Sequence, residues 1–466
     1  MSKTNKKNIK YKIIGEGGYG CVHMPALPCQ TSSKATDKNE VTDKNDNNDY
    51  VSKLMTKRNA QKELNEFVFI GKLDKENEYH LGQPKICNPD TSNLEVMKEI
   101  NKCKHISLAK VMLNSSDYKL LLLKYGGVDL DDVCGKDLFK YFSKSKPKVI
   151  DRFWLEVHQL FKGLLFFQRN SIVHYDIKPQ NILYNPKTGK MRYIDFGLMR
   201  SSQKIIKESQ ESDNGLGVIH WSYPIDNGFT NKNLYNKCKE RFKTFSKDMV
   251  KMFMTYTNKN SLGIEISNID AFYILFKYVT LKNDSVNSDD RAHYINRFLT
   301  AFQQVKSYEQ YLHTVVKTID MYGLGFTLKY ALNSFYKSNL IDEEFYNKCS
   351  ALFEDMYNFD FLNRINSAEE ALNRYEQILL ETDVLTRLGK TIEKHTIRTG
   401  RPMSTYLPSN NINNKYKYKK PALSKHSVSS LVDKDVLELL KDSRSITRKR
   451  LHNKKRRFNF SRKATN

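Results

Sequence analysis

Four polar side chains stand at short fixed spacings in "HYDIKPQN", residues 174–181: His174, Asp176, Lys178 and Asn181. Asp176 can accept a hydroxyl proton, and Lys178, two residues on, can neutralise charge developing on a transferred phosphoryl group. Asn181 offers a carbonyl oxygen, and Asp195 in the following "YIDFG" offers a carboxylate. Hard oxygen donors on adjacent segments suit Mg2+. Any one of these residues reads equally well as a capped turn or a solvated charge. The whole set, in this order, describes phosphoryl transfer.

Two upstream features fit the same chemistry. The stretch "GEGGYGCV" supplies Gly15, Glu16, Gly17, Gly18, Tyr19, Gly20 and Val22. A GxGxxG pattern that opens a helix points to a dinucleotide site. Here "CVHMP" follows and reads as a second strand, so the glycines turn a β-hairpin whose backbone N–H groups can lie over phosphates. Lys53, in the alternating strand "YVSKLM", is by itself an ordinary surface lysine. It needs an acidic partner to aim its ammonium at phosphate oxygens. Glu66 is the first choice, because Ile70 and Leu73 follow it at i+4 and i+7 and would seat its helix. Glu63, almost one turn earlier, is the second.

The elements that must hold these groups are legible as patterns. "YKIIGEGGYGCVHM" reads strand, turn, strand, and "KRNAQKELNEFVFIGKL" has helical periodicity. "YKLLLLKY" is a candidate buried strand, and the apolar helix "FWLEVHQLFKGLLFFQRN" leads straight into the catalytic stretch. After "MRYIDFGLMR" comes a Ser-rich polar loop. A long segment to about Thr318 reads as several helical pieces with no motif, and "IDMYGLGFTLKYALNSF" and "EEFYNKCSALFEDMYNF" restore amphipathic helices.

From Tyr11 to about Leu380 the chain resembles a eukaryotic-type protein kinase: glycine-rich loop, strand lysine, catalytic loop and DFG triplet occur in the family's order. "DIKPQN" is similar to the serine/threonine form of the catalytic loop. The resemblance implies an α+β, bilobal fold with a small β-rich N-lobe and a larger helical C-lobe. It places the N-lobe at 1–125 with a polar loop insertion near 30–49. The C-lobe falls at 126–394 with a helical insertion near 229–318, and 395–466 is a basic tail. It also implies ATP and Mg2+ as cofactors and a protein Ser or Thr as acceptor. Leu123 would stand beside the adenine, Tyr125 and Gly126 in the hinge, and Asp129 within reach of the ribose. Asp320 would brace the catalytic loop backbone, and Arg364 would be the structural arginine of the last lobe segment. "GGYGCVHMPALPCQ", "KLDKENEYHLGQPKIC" and "LLLLKYGGVDL" resemble the serine/threonine kinases of large cytoplasmic DNA viruses, the mimivirus type, which implies a host-cell setting in cytoplasm, virion or nucleus.

The chain departs from that pattern at two places. Tyr175 replaces the Arg of the HRD triplet, which commonly pairs with an activation-loop phosphate, while Asp176 is intact. "WSYPIDNGF" stands where A-P-E is usual, with Ile225 at the Glu position and Asp226 one residue later. If Asp226 meets Arg364, the lobe is braced in a shifted register. These departures motivate the alternative of a pseudokinase, a binding or scaffolding module that keeps the fold without turnover. A small-molecule kinase of related fold ranks below both.

Composition bounds the rest. The 466 residues are 39% hydrophobic and 28% charged, with a mean hydropathy of -0.63, and no apolar run approaches the ~20 residues of a spanning helix. Seven scattered cysteines, without metal-type spacing, lead to an expectation of reduced thiols in an intracellular setting. Of the net charge of +25, residues 395–466 hold a surplus of 15, from 19 Lys or Arg against 4 Asp or Glu. That tail reads equally as a contact for nucleic acid or an acidic partner and as a solubilising extension.

Overall fold

The computed structural model describes residues 10–17, 20–30, 49–211, 222–241 and 288–389. The polar insertion over 31–48, the middle of the 229–318 insertion and the basic tail lie outside the described residues, as do Gly18 and Tyr19.

Five strands form one antiparallel sheet in the order β1-β2-β3-β5-β4: β1 (Lys12–Gly17), β2 (Gly20–Met24), β3 (Tyr50–Thr56), β4 (Lys85–Cys87) and β5 (Tyr118–Lys124). The glycine-rich stretch is the expected hairpin, with Glu16 opposite Cys21 and Gly17 opposite Gly20. Gly20 is required by close approach, because a Cβ there would run into the Leu54 carbonyl of the neighbouring strand. Helix α1 (Lys57–Leu73) crosses the sheet. Thr56 caps it by accepting from the Asn59 amide, and Ala60, Phe67 and Ile70 bury one stripe. Helices α2 (Leu94–Asn101) and α3 (Leu108–Leu113) close the outer face of the sheet around Val96, Ile100 and Val111.

Beyond β5 the chain becomes mostly helical. Short α4 (Leu130–Cys134) and α5 (Leu138–Tyr141) precede α6 (Pro147–Arg169), which starts on a proline that lacks only an amide hydrogen the first turn does not use. Small strands β6 (Val128–Asp129), β8 (Ile182–Tyr184) and β9 (Met191–Tyr193) pair with one another, and β7 (Ile172–Val173) pairs with β10 (Arg200–Ser201). Helices α7 (Ser202–Glu211), α8 (Lys232–Arg241) and α9 (Ser288–Gln304) follow. Then α10 (Tyr308–Lys337) runs through the centre of the lobe, buried on almost every side from Thr318 to Leu332, as an all-round apolar helix must be. Helices α11 (Glu343–Met356) and α12 (Ala368–Glu381) pack around it and α6. Among the described residues no helix is long and apolar enough to cross a membrane.

Three expectations change. The Ser-rich stretch after Arg200 is a helix, not a loop: Ile205 is buried, and an Arg200–Glu208 ion pair at 2.8 Å ties the helix to the strand before it. The unbroken α10 passes straight through Thr318, where the insertion was expected to end. The expectation of reduced thiols fails in the N-lobe, where Cys21 is joined to Cys103 and Cys29 to Cys87, with Cα separations of 6.1 and 5.7 Å. Cys134, Cys238 and Cys349 form no disulfide and are buried.

Candidate functional site

The catalytic stretch lies in the turn between β7 and β8, and its backbone is fixed from below. Asp320 on α10 accepts from the His174 amide at 2.7 Å and the Tyr175 amide at 2.9 Å. Burial pushes the Asp320 carboxyl up to about 7, against the pull of those two amides. Gly323, one turn later, lets the helix approach: a Cβ there would lie 2.5 Å from the Ile177 carbonyl. The imidazole of His174 is buried, faces the Ile194 carbonyl at 3.2 Å through Nε2, and is held neutral because burial pushes it down to about 4.

Asp176, Lys178 and Asn181 converge as the sequence suggests. The Lys178 ammonium donates to both Asp176 oxygens at 2.9 and 2.8 Å, and Asn181 Nδ2 donates to the Asp176 carboxylate at 2.9 Å and its carbonyl at 2.8 Å. Burial raises the Asp176 carboxyl, Lys178 opposes the rise, and the negative charge of Asp195 adds to it. Asn181 commits its NH2 to Asp176, which leaves its carbonyl oxygen as the atom able to act as a metal donor. Asp195 adopts left-handed backbone angles, φ 61 and ψ 70, and accepts from the Gly197 amide. An amide oxygen and a carboxylate are donors that fit Mg2+.

Phe196, next to Asp195, anchors that segment with its ring against His174 at 5.1 Å, Phe67 at 6.1 Å and His80 at 6.2 Å. His80 is itself bound to Asp74 at 2.8 Å in a fully enclosed pair. Sequence reading missed this support. "DKENEYH" reads as polar loop, and nothing local marks two of its residues as buried.

Lys53 takes Glu63, not Glu66: its ammonium lies 2.6 Å from Glu63 Oε2, while Glu66 pairs with Lys62 at 3.0 Å. The reason is helical phase. Ala60, Glu63, Phe67 and Ile70 form one i, i+3, i+7, i+10 stripe toward the sheet, and Ile70 seats Glu63 as well as it would Glu66. Glu66 faces the next segment instead: its oxygens would be 3.4 and 3.5 Å from a Cβ on Gly197. Burial there raises its carboxyl, with Lys62 countering and Glu63 and Asp195 adding.

The adenine-side residues are mixed. Leu123 is buried beside Val51 at the end of β5. Tyr125 donates its amide to the Asp49 carbonyl at 2.8 Å and accepts from Asn185 at 3.3 Å. Gly15 and Val22 face each other across the hairpin. The carboxylate of Glu16 turns to Lys104, accepting its amide at 3.0 Å, and that hydrogen bond is the main cause lowering it below the usual carboxylate range. Asp129 caps α4 by accepting from the Asp132 amide at 2.9 Å, so its carboxylate already has a structural task.

The shifted brace forms. Arg364 clasps Asp226 with two bonds, at 3.0 and 2.9 Å, both side chains fully enclosed, and Arg364 also donates to the Asn358 carbonyl at 2.9 Å.

Comparison with known proteins agrees with this geometry. The protein kinase domain family matches residues 9–217. Serine/threonine-protein kinase 17A of Oryctolagus cuniculus is 31% identical over 121 residues, 26% of this chain and 28% of the relative. Mitogen-activated protein kinase kinase kinase A of Dictyostelium discoideum is 25% identical over 227 residues, 48% of this chain and 19% of the relative. Glycogen synthase kinase 1 of Pyricularia oryzae is 39% identical over 72 residues, 15% of this chain and 17% of the relative. The chain spans less than a third of the length of these curated relatives. With the two-lobed α+β fold and the site built on it, residues 9–217 match the protein kinase domain family, and the relatives they resemble include serine/threonine kinases.

Proposed function

We propose that the chain is an active serine/threonine protein kinase that uses ATP and Mg2+ and transfers the γ-phosphoryl group to protein hydroxyls. The observation that carries this reading is the Asp176 carboxylate, held by Lys178 and Asn181 on a loop that Asp320 fixes. Asp176 orients the acceptor hydroxyl and takes its proton, and Lys178 beside it stabilises charge on the group in transfer. Lys53, aimed by Glu63, meets phosphate oxygens from the opposite wall. Mg2+ held by Asn181 and Asp195 would supply charge neutralisation between the phosphates. Catalysis of this kind is positioning plus electrostatics, and the set of positioned groups is complete.

Label transfer from γ-labelled ATP to Ser or Thr of a generic basic protein tests the reading. A chain that gains thermal stability from Mg2+·ATP yet transfers nothing is the pseudokinase. The virus-type resemblance supports a setting in the cytoplasm, virion or nucleus of an infected cell. The basic tail supports a further contact with nucleic acid or an acidic partner. Neutralising the segment from Arg444 onward should then abolish salt-sensitive DNA or RNA binding, and unchanged binding would remove the tail from the account.

A further inference from the structure

The glycine hairpin is fastened to the rest of its lobe at two points that adjoin each other in sequence. Cys21 of β2 is joined to Cys103, 82 positions on. Glu16 of β1 stands directly opposite Cys21 in the hairpin. It accepts the amide of Lys104, the residue after Cys103, at 3.0 Å, and its carboxylate lies 3.6 Å from the Lys104 ammonium. Glu16 Oε1 is also 3.5 Å from Cys21 Sγ. The anchor itself is firm. Residues 103 and 104 follow α2, whose Val96 and Ile100 are buried in one apolar cluster with both cysteines, Leu54 of β3 and Leu120 of β5.

The two fastenings differ in kind. Glu16 and Lys104 meet at the surface, where water and salt screen them. The disulfide is covalent and can be opened chemically. We propose that the Cys21–Cys103 disulfide is a redox latch on the hairpin: closed, it holds the phosphate cover in place for ATP, and a dithiol opens it. Cys103 is 5% exposed and Cys21 0%, so the reagent's first thiolate attacks the Cys103 sulfur. The sulfur–sulfur bond breaks, and Cys21 leaves as a thiolate that takes a proton and can then donate to Glu16. The reagent's second thiol attacks the mixed disulfide, Cys103 leaves and takes the other proton, and the reagent departs as a cyclic disulfide. Two electrons and two protons pass to the protein. The opened hairpin keeps its ladder to β3, with Cys21 opposite Leu54 and Val22 opposite Lys53. Each nucleotide must then order it afresh, which the closed latch has already done. The inference rests on the kinase reading, in which the hairpin covers phosphates, and adds to it a control on nucleotide affinity. Cys29–Cys87 serves as the comparison, since it ties the segment beyond β2 to the end of edge strand β4.

The test compares oxidised wild type with the same protein treated with dithiothreitol, the cysteine pairing of each state being read by peptide mapping. Reduction should raise the Kd of a fluorescent ATP analogue with Mg2+ about tenfold, and the KM for ATP with it, while the KM for a basic protein acceptor stays within about twofold. Cys103→Ser should match the reduced wild type and no longer respond to the reagent. The double variant Cys29→Ser/Cys87→Ser should keep the full response. If Cys103→Ser does not fold, wild type against that double variant decides alone. Several results would each overturn the latch. They are a nucleotide Kd unchanged by reduction, an acceptor KM that moves as far as that for ATP, a response that survives in Cys103→Ser, and one that vanishes in Cys29→Ser/Cys87→Ser. Cys21 and Cys103 found unlinked in the oxidised protein, or a bond that dithiothreitol leaves intact in the folded chain, would do the same. A wild type that binds the analogue but transfers nothing in either state overturns the kinase reading alone, because nucleotide affinity still reads the latch.

Discussion

Asp176 is oriented by Lys178 and Asn181 from within its own loop, two and five residues on. The partner of Lys53 is the sharper residue-scale question. Glu63→Gln removes the charge facing the ammonium at 2.6 Å, and a charge-assisted bond of about 1.5–3 kcal/mol corresponds to a loss of roughly ten- to a hundredfold in kcat/KM for ATP. Glu66→Gln should cost clearly less, and steady-state ATP kinetics on the two variants decides between the glutamates. A larger loss in Glu66→Gln would mean that Lys53 changes partner during turnover. His174 gives a pH signature. Its folded value of about 4 lies below the ordinary 6.5, so between those limits the unfolded chain holds a proton that the folded chain refuses. Its contribution is complete above about pH 6.5 and is lost as pH falls toward 4. The Asp320 carboxyl, raised to about 7, acts in the opposite direction over the same window, and it remains in both proteins when His174→Gln is compared with wild type. The variant's stability deficit, read from urea unfolding, should therefore shrink by about 2 kcal/mol between pH 7 and pH 5. A deficit independent of pH would show that the fold leaves His174 at its ordinary value, and one that grows as pH falls would show that His174 is charged in the fold.

At the scale of elements, α10 carries the loop. It contributes Asp320 as an acceptor and, one turn on, a glycine where the Ile177 carbonyl comes too near for a side chain. Gly323→Ala should leave helix content unchanged by circular dichroism while overpacking costs about 1–3 kcal/mol of stability. Phosphotransfer should fall at least about tenfold, because the displaced carbonyl adjoins Asp176. A variant with full activity would separate the loop from the helix. This scale also shows what sequence could and could not reveal. The glycine hairpin, α1 and α6 were legible because strand alternation, helix period and turn residues are local. Asp226 and Arg364 were legible only as a condition, since their meeting spans 138 positions. The Lys53 partner was not legible: Glu63 and Glu66 share the seating residue Ile70, and docking on the sheet chooses the phase. Helix α7 was hidden by its polar composition, because Ile205 is its one buried residue, with the half-buried Ile206 packed beside it. The cysteine pairs join residues 82 and 58 positions apart, a separation on which local pattern is silent.

At the scale of the molecule, a sheet-built lobe and a helix-built lobe divide the labour. The antiparallel sheet holds Lys53 and the glycine hairpin, to which the proposed reaction assigns the phosphates. The helical lobe holds Asp176, Lys178 and Asn181 on a loop pinned by α10 and Asp195 on the segment anchored by Phe196, with Arg364 clasping the segment beyond them. The Phe196 cluster joins the two, since Phe67 and His80 come from the first lobe's helix and loop and His174 from the second. The central claim is that these parts compose a working phosphoryl-transfer site, and its most direct measurement is label transfer from γ-labelled ATP to a basic protein by the wild type and by Asp195→Ala. The account predicts transfer to Ser and Thr by the wild type and a loss of at least about a hundredfold in the variant. Label that persists unchanged in Asp195→Ala, or no transfer by the wild type, would contradict it.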